Sequence, residues 1–319
     1  MDGRDELARR FEERRGRLWA VAYRMLGSAG EAEDAVQEAW LRLDRAGGEN
    51  GKNGENGENG ENGENGETIV NLGAWLTTVV SRVCLDMLRS RAARREEPYG
   101  QAPPEAGAGE AGPEDDAVLA ESVGLALLVV LDSLTPAERV AFVLHDLFGV
   151  PFDRVAPVVE RSVPAAKQLA SRARRKVRGT PAVPGAELER HRRVVEAFLT
   201  AARGGDLGAL LTLLAPDVVR RADPGALPPG TPAELRGARA VAEGTVLFRH
   251  RTRHAAPALV DGGVGLVVAP RGRLLYVLKV TVEGERVTSY DVIADPERLR
   301  GLRLAVLGLP GVNSPSPTQ

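Results

Sequence analysis

SVPAAKQLASRARRKVR, residues 162–178, is the stretch on which the reading of this chain turns. Ala166, Leu169, Ala170, Ala173 and Val177 recur at spacings of 3, 1, 3 and 4, which places them on one face of a helix. Lys167, Arg172, Arg174, Arg175, Lys176 and Arg178 fill the rest of the turns, and no acid interrupts them. Ser162 stands where an N-cap hydroxyl would accept from a free backbone N–H. Just upstream, residues 151–160 carry a shorter periodic pattern, Phe152, Val155, Val158 and Val159, and the two segments meet in a tight turn at Arg161 and Ser162. Two short helices, the second of them basic, predict a helix-turn-helix. Pro157 inside the first helix is expected to kink or shorten it. A solvated helix with a charged outer face would look similar. Six cations against no anion on one helix favour nucleic-acid binding instead.

The charge is local rather than general. The chain has 319 residues, 42 Lys and Arg against 44 Asp and Glu, and a formal net charge of −2. Residues 161–178 hold seven bases and no acid, while residues 105–121 hold six acids and no base. That asymmetry suits contact with DNA at one place better than coating of nucleic acid. Cys84 is the single cysteine, so neither a disulfide framework nor a cysteine metal cluster is available, and a buried small apolar role is expected for it. The N-terminus lacks the apolar core of a signal peptide and no apolar run reaches membrane-spanning length, so a cytoplasmic protein without membrane contact is expected.

Composition divides the chain. Residues 5–97 read as a helical domain interrupted at 50–67 by six Asn-Gly-Lys or Asn-Gly-Glu triplets, which should form neither helix nor strand and are expected to be a flexible loop. A Pro, Gly, Ala and acid-rich linker spans 98–116, and helical periodicity resumes over 117–180. Residues 187–306 differ in character. Helical segments at 188–202 and 207–214 precede β-rich runs at 258–269, 273–282 and 285–293, with turns at Asp261-Gly262-Gly263, Arg271-Gly272 and Glu283-Gly284. Helices followed by a strand meander predict an α+β domain with a curved antiparallel sheet. The tail, 307–319, reads as disordered.

Two helices of the first domain carry further signals. Ser28 and Glu31 form a capping-box pattern opening a helix to about Leu43, with Ala32, Val36, Ala39, Trp40 and Leu43 inward. Its outer side is acidic: Glu31, Glu33 and Asp34 suit the helix dipole, and Glu38 falls outside that explanation. A protein-binding surface is the alternative to simple capping. After the triplets, Trp75, Val79, Val83 and Met87 form an apolar line broadened by Leu76, Val80 and Leu88, with Thr78, Ser81, Arg82 and Arg89 expected opposite. Five arginines face one acid, Asp86, between residues 82 and 95, making a second basic helix.

EAEDAVQEAWLRL, AWLTTVVSRVCLDMLRSRAARRE and LTPAERVAFVLHDLFGVPFDRVAPVVERSVPAAKQLASRARRKV, in this order, resemble an extracytoplasmic-function RNA polymerase sigma factor. The first two pieces correspond to its sigma-two domain and the third to its sigma-four domain. The C-terminal unit resembles the SnoaL-like extension of one group of that family. The resemblance implies two all-α helical domains followed by an α+β SnoaL/NTF-like cone. It also implies a non-enzymatic promoter-specificity subunit without cofactor or metal, whose partners are the polymerase core and promoter DNA. Asp34, Gln37, Glu38 and Leu41 would dock on the β-prime coiled coil of the core. Asn71, Thr78, Arg82 and Arg89 would open the proximal promoter element and hold a flipped base. Lys167, Gln168, Ser171 and Arg172 would reach base edges of the distal element, and Arg174, Arg175 and Lys176 its phosphates.

The sequence departs from the family pattern in three places. The triplets, with six glutamates to one lysine between Glu49 and Glu67, occupy the loop that should hold the base, and DNA should repel them. The linker EEPYGQAPPEAG lacks the family's tryptophan. ADPGA at 222–226 stands where that group tends to have a glycine run, and ADPERL at 294–299 where an NPDKL-like element is usual. In the C-terminal domain Asp217, Asp223, His250, His254, Tyr276 and Asp291 are the candidates for acid/base chemistry, without a Ser/His/Asp spacing or a phosphate loop among them. A packed or ligand-sensing regulatory domain is the preferred reading, an unidentified small molecule being its candidate ligand. A helix-turn-helix regulator acting alone and a SnoaL-like enzyme under helical control remain the alternatives.

Overall fold

The computed structural model describes residues 3–50, 61–62, 68–69, 71–94, 122–228 and 230–308; the linker 98–116, most of the triplet insert and the tail from 309 lie outside the described residues. The chain forms two compact units, Met1–Glu96 with Leu134–Ala173, and Glu97–Ser133 with Arg174–Gln319.

In the first unit α1 (Gly3–Leu26), α2 (Ala29–Asn50) and α3 (Leu72–Ala93) pack on one another. Leu18 and Met25 of α1, Val36 and Leu43 of α2, and Leu76 and Leu85 of α3 are fully buried, and the Phe11 and Trp40 rings meet at 5.0 Å. Ser28 Oγ accepts from the Glu31 N–H at 3.4 Å, the expected cap, while the Glu31 carboxylate turns to Arg91 of α3. Helix α2 runs past the expected Leu43 to Asn50. Ser81 is a correction. It is buried rather than outward, which its hydroxyl tolerates by donating to the Thr77 carbonyl at 2.6 Å. The triplet insert, expected to hold no strand, contains β1 (Glu61–Asn62), which pairs antiparallel with β2 (Thr68–Ile69), where two β-branched residues follow the last triplet.

The same unit holds the helix-turn-helix. Thr135 and Glu138 make a complete capping box with Pro136 at the first turn of α5 (Pro136–Phe142), which continues into a π-helical turn, Val143–Leu147. Helix α6 (Phe152–Val158) stops one residue past Pro157, the shortening that proline demands. The turn is completed by Glu160 at φ 56 and by the Arg161 N–H donating to the Ala156 carbonyl at 3.0 Å. Ser162 Oγ then accepts from the Ala165 N–H at 3.4 Å to open α7 (Val163–Arg178). Helices α5 and α6 pack on α3.

In the second unit α8 (Gly185–Gly204), α9 (Leu207–Leu213) and α10 (Ala238–Leu247) cover one face of a seven-stranded sheet, and the four-residue α11 (Arg249–Thr252) follows α10. The strands are β3 (Leu214–Ala222), β4 (Glu234–Arg236), β5 (Ala255–Val260), β6 (Gly263–Val268), β7 (Tyr276–Glu283), β8 (Arg286–Ile293) and β9 (Leu304–Ala305), in the order β4-β3-β8-β7-β6-β5-β9. All neighbours are antiparallel except β3 with β8. The expected 258–269 run breaks into β5 and β6 at Asp261 (φ 52) and Gly262 (φ 87), two positive angles that suit a two-residue hairpin turn.

Helix α4 (Ser122–Leu131) falls within the 117–180 segment assigned from sequence to the helix-turn-helix domain. In the structure its Leu125, Ala126 and Val129 pack on the second face of the sheet, with Ala256, Ala258, Val260, Val267 and Val277, joined by Leu299 of α12 (Pro296–Gly301). SVGLALLVVL is apolar all round and has to be covered on more than one side. With both faces covered, β5 and β6 read as near-continuous apolar runs, AAPALV and GVGLVV, rather than as an alternation.

Candidate nucleic-acid interface

The apolar spine of α7 is buried and fixes what the helix shows to solvent. Ala166, Ala170, Ala173 and Val177 are fully enclosed, so Lys167, Gln168, Ser171, Arg172, Arg175 and Lys176 stand exposed and Arg174 half-buried. Arg172 Nε lies 3.4 Å from a carboxylate oxygen of Glu138, whose other oxygen caps α5 by accepting from the Thr135 N–H at 3.1 Å. Lys167 Nζ sits 6.0 Å from the centroid of the Phe152 ring, at the limit of a cation–π contact. The exposed positions of α7 carry no acid, so their potentials add.

The candidates on α3 are divided. Asn71 Oδ1 accepts from the Ala74 N–H at 3.0 Å and so caps the helix, and Thr78 Oγ1 donates to the Ala74 carbonyl at 3.0 Å. Both nonetheless line a groove of about 340 Å³ shared with Arg14, Arg17 and Arg154. Those three arginines escaped the sequence reading because they are spread over α1 and α6, far apart in the chain. Arg82 is half-buried. Arg89 is held away from the groove: its Nη2 donates to Glu160 at 3.0 Å, and its Nη1 lies 3.8 Å from Asp86. The Arg89 guanidinium holds the Glu160 carboxyl below the ordinary carboxylate range.

On α2, Asp34, Gln37 and Leu41 form an exposed stripe at spacings of three and four, with Leu41 42% exposed despite its size. Glu38, half-buried beside them, accepts from Arg42 Nε at 2.9 Å, an i,i+4 pair that accounts for its position outside the capping turn. Glu33 pairs with Arg15 of α1.

The acid/base candidates of the C-terminal unit are not brought together. Asp217 and His250 are exposed, His254 is half-buried, and Asp291 sits opposite Lys279 in the β7–β8 register. Asp223 accepts from the Ala294 and Asp295 N–H groups, each at 3.0 Å, and from Arg298, which ties the end of β3 to α12. Only Tyr276 lines the apolar cavity of this unit. Its polar neighbours there include Arg220, Thr245, Arg251 and Tyr290, and of these Arg220 lies on β3, a strand the sequence does not announce because Pro216 and the Arg220-Arg221 pair hide its period. Cys84 is fully buried, as expected. Among the described residues no group of three or more His, Cys, Asp or Glu is placed to hold a metal ion, and no helix is long and apolar enough to cross a membrane.

The helical architecture agrees with the comparisons. The Sigma-70 region 2 family matches residues 10–50, and the Sigma-70 region 4 family matches residues 124–177. The chain is 37% identical over 311 residues to the ECF RNA polymerase sigma factor SigJ of Mycobacterium tuberculosis (strain ATCC 25618 / H37Rv), covering 91% of this chain and 92% of that protein. It is 33% identical over 315 residues to the probable ECF RNA polymerase sigma factor SigI of Mycobacterium tuberculosis (strain CDC 1551 / Oshkosh), covering 97% and 100%. The crystal structure of the Mycobacterium tuberculosis extracytoplasmic function sigma factor SigJ aligns at 34% identity over 92% of this chain and 98% of that one, with a TM-score of 0.43. The chain therefore belongs to the ECF RNA polymerase sigma factors. Its function is that of the family, promoter recognition and transcription initiation with core RNA polymerase.

Proposed function

We propose that this sigma factor docks on the β-prime coiled coil of the core through Asp34, Gln37, Glu38 and Leu41, and reads its promoter at two points. Lys167, Gln168, Ser171 and Arg172 meet base edges of the distal element, while Arg174, Arg175 and Lys176 neutralise phosphates. Asn71, Thr78, Arg82 and Arg89 act at the proximal element, with Arg14, Arg17 and Arg154 adding cationic wall to the groove that Asn71 and Thr78 line. The observation that carries the reading is the face of α7: its spine is fully enclosed and its exposed side is cationic and without acid. The chain works in the cytoplasm beside the polymerase and performs no chemistry itself. Its C-terminal unit, a SnoaL-like regulatory domain, modulates transcription and takes a small-molecule ligand in its cavity.

The test is binding of the purified full chain to core polymerase, and of each to promoter DNA alone and together. The reading expects tight core binding, weak binding of DNA by the free chain, and promoter-selective binding by the complex. Tight, selective operator binding by the chain alone, with no affinity for core, would favour a regulator that acts by itself.

A further inference from the structure

The cavity of the C-terminal unit contains an electrostatic imbalance. Arg220, on β3, is only 3% exposed, and its Nη2 donates to the Pro232 carbonyl. Its Nε is buried and has no hydrogen-bond partner. A guanidinium withdrawn from water with a donor left over is costly unless an anion or acceptor meets it. The lining supplies no carboxylate; it adds a second guanidinium, Arg251, whose Nη1 donates to the Ala226 carbonyl at 2.8 Å. Burial without a counter-charge lowers the affinity of Arg220 for its proton.

The two tyrosines at the site do not provide the missing charge. Thr245 Oγ1 donates to the Val241 carbonyl at 2.8 Å, so its bond of 2.9 Å with the Tyr290 hydroxyl is one in which Tyr290 donates. Burial pushes the Tyr276 phenol up to about 12, so it too is neutral near pH 7. Apart from Thr252, the remaining wall, with Phe198, Val268 and Leu278, is apolar. The space is about 70 Å³, smaller than the roughly 150 Å³ cavities that hold benzene.

We infer that this cavity is an anion site for a short aliphatic carboxylate, with the carboxylate on Arg220 and the alkyl end against the apolar wall. The inference rests on the reading of the C-terminal unit as a ligand-taking domain and adds the chemical class and the residue that selects it. The carboxylate supplies the counter-charge that the cavity's two guanidiniums lack, and the alkyl group fills space that an inorganic anion would leave wet. Arg251, beside the Tyr276 hydroxyl, adds positive potential.

The test titrates the full chain with sodium butyrate, butyramide and sodium chloride at constant ionic strength, by calorimetry and thermal shift. Butyrate is expected to bind at least tenfold more tightly than butyramide and to raise the melting temperature, and chloride not to compete. Arg220→Met should lower butyrate affinity at least tenfold, and Arg220→Lys should retain part of it. Independently of any variant, ¹³C-labelled butyrate should show nuclear Overhauser contacts to Val268 and Leu278 methyl groups in the unaltered chain. Equal binding of butyrate and butyramide would overturn the anion site while leaving a neutral ligand pocket standing. Equal competition by chloride would overturn the carboxylate. No binding of either organic probe would overturn both the inference and the ligand-taking reading beneath it.

Discussion

The carbonyl oxygen of Val177, in the last turn of the basic helix α7, accepts a hydrogen bond of 2.8 Å from the N–H of Val306, just past strand β9. The basic helix thus ends as part of the C-terminal unit. Gly179, next in the chain at φ +61, fits closely there: a Cβ would stand 2.4 Å from Cβ of Ala305. The Ala182 N–H adds a bond of 2.9 Å to the Gly262 carbonyl. The glycine- and proline-containing stretch that follows α7 is thus docked at Gly179 and Ala182.

Gly179→Val should therefore break this junction, because a β-branched residue meets both a left-handed backbone and an occupied space. A loss of about 1–3 kcal/mol is expected in urea denaturation. Promoter-directed transcription by the variant should shift towards that of a chain truncated after Arg178. Unchanged stability and unchanged transcription would show that the contact couples nothing.

Leu41→Glu should weaken core binding at least tenfold, measured by fluorescence anisotropy with labelled core, while leaving the melting temperature within about 2 °C. Leu41 is large, exposed and flanked by Asp34 and Gln37, so its replacement removes a docking contact and little internal packing. Retained affinity would move the docking surface elsewhere on the chain.

Arg175→Ala and Lys176→Ala should each weaken DNA binding by the holoenzyme about equally on all sequences, and each should reduce the slope of log affinity against log salt by about one. Gln168→Ala should instead relax preference at one position of the distal element and leave the slope alone. A common response of all three would contradict the division between phosphate and base contacts.

Cys84 provides a pH test of the helical unit. Burial raises its thiol from 9.0 to about 12 in the folded chain. The folded state thus favours the protonated thiol, and that share of stability is complete below about 9 and lost as pH rises towards about 12. Alkylation by iodoacetamide at pH 8 should be negligible in the native chain and rapid in urea. Rapid native alkylation would mean that the α1–α3 core opens.

What was legible in the sequence follows from how each signal is encoded. The spine of α7, the Ser162 cap and the shortening at Pro157 are local, so spacing alone revealed them. The hairpin at Asp261-Gly262 was visible because its backbone angles restrict residue choice. Strand β3 was hidden by Pro216 and by a buried arginine at an inward position, and with it the Arg220 guanidinium of the cavity. Helix α4 carries no one-sided stripe to name its partner, because a segment apolar all round is claimed by whichever surface covers it, here the sheet. Arg89 reads as a free cation in the sequence, and only the fold brings Glu160 to it from 71 residues away.

Promoter-directed initiation is the centre of the account, and run-off transcription tests it most directly. Core polymerase, the full chain and a genomic fragment library should yield transcripts from discrete start sites that share two spaced upstream elements. Those transcripts should disappear when the chain is omitted, and fall at least tenfold with Leu41→Glu or with Lys167 and Arg172 both replaced by alanine. Transcripts that do not depend on the chain, or that start without a common upstream pair, would contradict it.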